Sequence, residues 1–223
     1  MSRVKGQREI PIDVGPGRVS ATLHGRGPTV LALGHGAGGN RQTPFLTRLA
    51  EGLADTDRRV LLFNFPYSEA GRRAPDRAPL LEATVRAVAE AARGRLGADR
   101  LVLGGKSMGG RMASNVVAAG LPADGLVFLG YPLHPPGKPE KLRDAHLPLI
   151  PSAMLFVQGT RDAFADPQRL HPVLQRLGRR AALHTVEGGD HSFRVPKRSG
   201  RSERDVEQEI LAAVTAWLAK QGC

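Results

Sequence analysis

The segment from Leu101 to Gly110 constrains this chain more than any other. Leu101-Val102-Leu103 has the character of a strand and Arg111 to Ala119 that of a helix, and between them stands Gly105-Lys106-Ser107-Met108-Gly109, of the form G-x-S-x-G. A strand that stops, turns sharply and restarts as a helix holds its central residue in a strained backbone conformation with the side chain outward. Only small residues fit two places to either side, and Gly105 and Gly109 meet that condition. At this chain's glycine and serine content the pattern would arise by chance roughly 0.13 times, so the surroundings have to carry it. The run Gly105-Lys106-Ser107 is also how a phosphate-binding loop ends. Such a loop needs a glycine five places before Gly105, where this chain has Arg100 on the far side of an apolar strand.

Apolar runs of strand length alternate with longer segments of helical periodicity. Val19 to Leu23, Thr29 to Leu33, Arg59 to Phe63, Leu126 to Leu129, Ala153 to Val157 and Ala181 to Val186 read as strands, as does the run into Ser107. Pro44 to Ala54, Leu80 to Leu96, Pro167 to Leu177 and Glu203 to Ala219 read as helices. That alternation predicts an α/β fold with a mostly parallel central sheet and helices on both faces. The 223 residues fit one domain, 1–223. The longest connection, Tyr131 to Pro151, carries six prolines, which argues against a helical lid or a large cap domain. It reads equally as a stiff loop over the sheet and as a short pocket wall contributed by Tyr131, Pro132, Leu133 and His134.

Charge and cysteine content exclude several functions. The net charge of +11 comes mainly from arginines spread over several segments, with aromatics at only 4% and no nucleic-acid-binding motif, so a solvated basic surface is expected rather than a nucleic-acid partner. Met1 to Gly17 has no apolar leader and no stretch approaches membrane-spanning length, which predicts a cytoplasmic protein without a membrane anchor. Cys223 is the single cysteine, leaving no internal disulfide and no basis for a cysteine metal site. No cofactor and no metal are expected.

A serine hydroxyl needs a histidine to take its proton, an acid to orient that histidine and donors for the oxyanion. Gly159-Thr160-Arg161-Asp162 follows one strand and Gly188-Gly189-Asp190-His191 the next, giving the chain order Ser107, Asp162, His191. Asp166 is better placed than Asp162 to cap the following helix, and Asp190, the chain neighbour of His191, suits a turn. Most of the other histidines read as structural or surface residues. Met108 at the start of its helix supplies one oxyanion amide. Ala37, in Gly34-His35-Gly36-Ala37-Gly38-Gly39, is the second. That loop also spells G-x-G-x-x-G, but the next strand ends at Asn64-Phe65-Pro66 with no acid for a dinucleotide ribose.

With these residues placed, the chain resembles the α/β-hydrolases, and within them the dienelactone-hydrolase branch. Gly104 to Met112 (GGKSMGGRM), Tyr131 to Lys138 (YPLHPPGK) and Lys141-Leu142-Arg143 resemble more narrowly the family of testis-expressed protein 30 and the third subunit of the NSL complex. The broader resemblance implies a serine hydrolase acting on a small-molecule ester or thioester through an acyl-enzyme. Dienelactone hydrolase itself uses cysteine, so its lactone substrate does not carry over to Ser107. One branch of the narrower family is a scaffold, which implies as the alternative a non-catalytic interaction module with a protein partner.

Overall fold

The structure, a computed structural model, describes residues 7–15 and 17–223. Its strands are β1 (Arg8–Val14), β2 (Gly17–Gly25), β3 (Thr29–Gly34), β4 (Arg58–Phe63), β5 (Arg100–Lys106), β6 (Gly125–Leu129), β7 (Ala153–Gly159) and β8 (Ala181–Val186). They form one sheet in the order β1-β2-β4-β3-β5-β6-β7-β8. From β3 to β8 the strands run parallel, while β2 is antiparallel to both β1 and β4.

Alternation along the central strands decides the layers. Val30, Leu101, Leu103 and Phe128 belong to one apolar cluster, and Leu31, Val102, Val127 and Leu129 to the other. The first cluster is covered by α3 (Ala78–Gly94), α4 (Met108–Ala118) and α5 (Pro167–Leu177), and the second by α1 (Pro44–Leu53) and α6 (Glu203–Lys220). A sheet buried on both faces accounts for the nearly continuous apolar runs of β3, β5, β6 and β7. The expected α/β architecture, with helices on both faces and no large cap, is the one observed.

One strand and one α-helix escaped the sequence pattern. In β1, Ile10, Ile12 and Val14 are buried and alternate with exposed neighbours, but Pro11 and three charged residues mask the period. An edge strand tolerates such a proline because its outer side carries no partner. The short helix α2 (Pro66–Glu69) is a single turn, too brief for periodicity to register. The reading of the N-terminus as free of an apolar leader falls partly on residues 1–6, which lie outside the described residues. No described helix is long and apolar enough to cross a membrane.

Strand order places the site. After β3 the chain adds β4 on one side, then returns to the other side of β3 for β5, and the helices following β3 and β5 cover opposite faces. A crevice opens between two strands whose connections diverge in this way, outside their carboxyl ends. The loop 34–39 and Ser107 lie at those ends.

Candidate active site

Ser107 has φ 49° and ψ −109°, a conformation that a non-glycine residue adopts only when its surroundings enforce it. The enforcement is close backbone packing. A Cβ on Gly105 would lie 2.1 Å from the carbonyl oxygen of Gly34, and one on Gly109 would lie 2.3 Å from the same oxygen. The elbow is therefore pressed against the end of β3, and the small residues are required by Gly34 as much as by the turn itself. Gly105 also sits at φ 144°. Gly105→Ala should cost about 2 to 5 kcal/mol from the clash and the backbone strain together. A urea midpoint close to that of the unsubstituted protein would contradict this account.

Three loops bring the remaining groups together. His191 Nε2 lies 2.8 Å from Ser107 Oγ, and His191 Nδ1 lies 2.7 Å from Asp162 Oδ2. The Asp162 side chain is fully buried. Its Oδ1 accepts from the Phe164 amide at 2.8 Å, and its Oδ2 accepts from Gln158 Nε2 at 2.5 Å. Gln158 is fixed in turn because its Oε1 accepts from the Tyr131 amide at 2.9 Å. The Phe164 ring leans on the imidazole, with centroids 4.2 Å apart. Neither Gln158 nor Phe164 carries a sequence signal, since each acts through a contact that exists only after folding. Asp190 Oδ1 accepts from the amides of Ser192 and Arg194, the turn-forming role expected of it. Asp166 caps α5 through Gln168.

The loop after β3 is held from beneath by His35. Its Nε2 accepts from the Phe65 amide at 3.2 Å, which leaves the ring proton on Nδ1, 2.8 Å from the Gly36 carbonyl oxygen. Burial pulls the pKa of this histidine down, in keeping with a neutral ring. Tyr67 Oη also donates to Gly36 O. Gly36 and Ala37 line a cavity with Ser107 and His191, and among the described residues the Ala37 amide donates no hydrogen bond. Met108 opens α4, so its amide has no partner within the helix.

The cavity measures about 570 Å³ and is walled by Thr43, Pro44, Phe45 and Arg48 from the start of α1, by Phe164 and Phe193, and by Glu203, Val206 and Glu207 of α6. Tyr131, Pro132, Leu133 and His134 do not line it, contrary to the expectation from the proline-rich connection. All four are buried, and Tyr131 and Leu133 join the apolar cluster beneath α4 and α5. Their bulk serves the core, which leaves no side chain free to face the crevice. His134 instead braces the acid loop: its amide donates to Phe164 O, and its Nε2 accepts from the Asp166 amide.

Solved structures with the same fold include a dienelactone hydrolase from Anabaena variabilis, 16% identical over 96% of this chain and 97% of that one, with a TM-score of 0.74. An alpha-beta serine hydrolase homologue from Coxiella burnetii is 16% identical over 97% of this chain and all of that one, with a TM-score of 0.76. A lidless α/β serine hydrolase from Xanthomonas campestris is 21% identical over 98% and 96% of the two chains, with a TM-score of 0.73. At such identities the likeness is one of fold. The sequence itself matches the family model described as an alpha/beta hydrolase domain over residues 27–219, a span that takes in the elbow, both downstream loops and the loop after β3. On that match, and with the strand order that sets these loops at one edge of the sheet, the chain belongs to the α/β-hydrolase domain family.

Proposed function

We propose that this hydrolase cleaves a carboxylic ester or thioester through an acyl-enzyme, with Ser107 as nucleophile, His191 as base and Asp162 as the acid that orients it. The reading rests on the continuous hydrogen-bonded chain from Ser107 Oγ through the imidazole to a buried carboxylate. Attack of Oγ on the acyl carbon passes the serine proton to His191 Nε2, while Asp162 holds Nδ1–H and stabilises the imidazolium. The tetrahedral oxyanion takes hydrogen bonds from the Ala37 and Met108 amides. Collapse expels the alcohol or thiol with the proton from Nε2. Water then enters, gives a proton to the same nitrogen and attacks the acyl group, freeing the acid and restoring Ser107. Neither a metal nor an organic cofactor enters these steps. On the GGKSMGGRM and YPLHPPGK segments, kinship with testis-expressed protein 30 and the third NSL subunit is part of the same proposal, as is a cytoplasmic location. The decisive experiment is covalent labelling by a fluorophosphonate probe, located by peptide mapping. Modification at Ser107 is expected, and a folded protein that resists the probe and turns over no activated ester favours the interaction module instead.

Cavity shape carries the substrate class further. Arg48 Nε and Glu207 Oε2 are 2.6 Å apart, and this ion pair borders both the cavity at Ser107 and a neighbouring cleft of about 550 Å³ that reaches Leu49 and Leu211. With the pair closed, short acyl chains should be preferred, and kcat/KM on p-nitrophenyl esters should peak at acetate to butyrate. Replacing Arg48 and Glu207 together by alanine joins the two spaces. Each further methylene accommodated is then worth about 0.8 kcal/mol, roughly fourfold in kcat/KM, until the cleft is filled. A long-chain optimum in the unsubstituted protein would overturn this reading of the cavity.

A further inference from the structure

Lys106 occupies a position where alternation calls for an apolar residue. It ends β5 two places after Gly104 and four after Val102, whose side chain belongs to the cluster beneath α1 and α6. The ammonium lies inside the site. Nζ donates to the backbone carbonyl of His191 at 2.5 Å and stands 5.3 Å from the centroid of the Phe193 ring. A Cβ on Gly130, at the end of β6, would come within 3.0 Å of Nζ and 3.6 Å of Asp162 Oδ2, so the glycine leaves the space that the ammonium and the carboxylate flank. Among the described residues, Lys106 is the donor that the His191 carbonyl has. Phe193 is itself held at φ 64°, a costly conformation for a bulky side chain, in the loop that presents the imidazole.

We propose that Lys106 is a positioning residue: its ammonium pins the histidine loop to the end of β5 and sets a positive charge beside Asp162, so turnover requires Lys106 in its protonated form. This rests on the serine-hydrolase reading and adds a group outside the three that carry the chemistry. The bond to the His191 carbonyl fixes the height of the ring above Ser107, and the contact with the Phe193 face fixes the turn that follows it. The groups facing the ammonium are Asp162 from the β7 loop and Asp190 and His191 from the β8 loop. Arg194 of that same loop, Arg48 of α1 and Glu203 and Glu207 of α6 line the adjoining cavity. Burial lowers the Lys106 pKa to about 8, against the pull of Asp162 and Asp190. The ammonium is therefore lost within the range in which an esterase can be assayed, and the sign follows directly: turnover falls as pH rises through that value.

The test is the pH dependence of p-nitrophenyl acetate hydrolysis, corrected for the uncatalysed reaction, in the unsubstituted protein, Lys106→Met and Lys106→Arg. The unsubstituted protein should lose turnover above about pH 8. Lys106→Met should lower kcat by roughly ten- to a hundredfold with little change in KM, as a displaced catalytic group does, and should lack the alkaline fall. Its melting temperature should fall, because the His191 carbonyl loses its donor and Asp162 its neighbouring charge, but circular dichroism at the assay temperature should show a fully folded protein, so that kcat is compared between folded enzymes. Lys106→Arg, which stays charged at every pH assayed, should recover part of the turnover and also lack the alkaline fall. The proposal is overturned if Lys106→Met keeps the original kcat, or if the alkaline fall persists at the same pH in either variant. It is also overturned if the loss of kcat merely tracks a loss of folded protein. Fluorophosphonate labelling of the unsubstituted protein at neutral pH is independent of all these outcomes, so failure here is distinguishable from failure of the hydrolase reading.

Discussion

Ser107→Ala should abolish fluorophosphonate labelling and lower kcat on an activated ester by about a millionfold, the scale seen when a serine nucleophile is removed. The same substitution should leave thermal unfolding nearly unchanged. Among the described residues, Ser107 Oγ has its one side-chain partner in His191, whereas the backbone of the elbow is held by other bonds: the Ser107 amide donates to Leu129 O, and its carbonyl accepts from Arg111. The close approach of Gly105 and Gly109 to Gly34 is also untouched by losing one hydroxyl. Paired measurements of melting temperature and turnover check both halves. Residual hydrolysis within tenfold of the unsubstituted rate would move the nucleophile elsewhere.

The second large effect is expected at Asp162. Its two oxygens are committed in different directions, Oδ1 to the Phe164 amide and Oδ2 to both His191 Nδ1 and Gln158 Nε2. Asparagine presents only one acceptor oxygen, so its NH₂ group must face a donor on one side or the other. If it faces His191, the imidazole proton has to move to Nε2, and the nitrogen facing Ser107 can no longer act as a base. Asp162→Asn should therefore lower kcat by about ten thousandfold. Asp190→Asn should reduce it by less than about tenfold, since the Asn side-chain oxygen still accepts from the Ser192 and Arg194 amides. Reversed magnitudes would exchange the roles of the two acids. Steady-state kinetics on one p-nitrophenyl ester suffices, with circular dichroism to confirm that both variants are folded.

Features carried by local patterns were readable from the order of residues. Strand-length runs alternating with helical periodicity gave the α/β class, because burial of a parallel sheet on both faces writes itself into the apolar content of each strand. The elbow, the loop after β3 and the two downstream loops were legible because sharp backbone turns demand glycines at fixed spacing, as at Gly105 and Gly109 around Ser107. Asp162, in a loop at a strand end, ranked ahead of Asp190, which as the immediate chain neighbour of His191 reads as a turn former. Tertiary structure alone decided which side chains surround those groups. Gln158 and Phe164 brace Asp162 and His191 from positions that look like ordinary strand and loop residues. Lys106 read as the variable position of a motif, yet its ammonium meets a carbonyl 85 residues away in the chain. The pocket wall passed from the connection at Tyr131 to the helices α1 and α6, because Tyr131 and Leu133 gain more by filling the core than by facing water. Long-range placement depends on how layers stack, and no spacing within one segment records the distance to another.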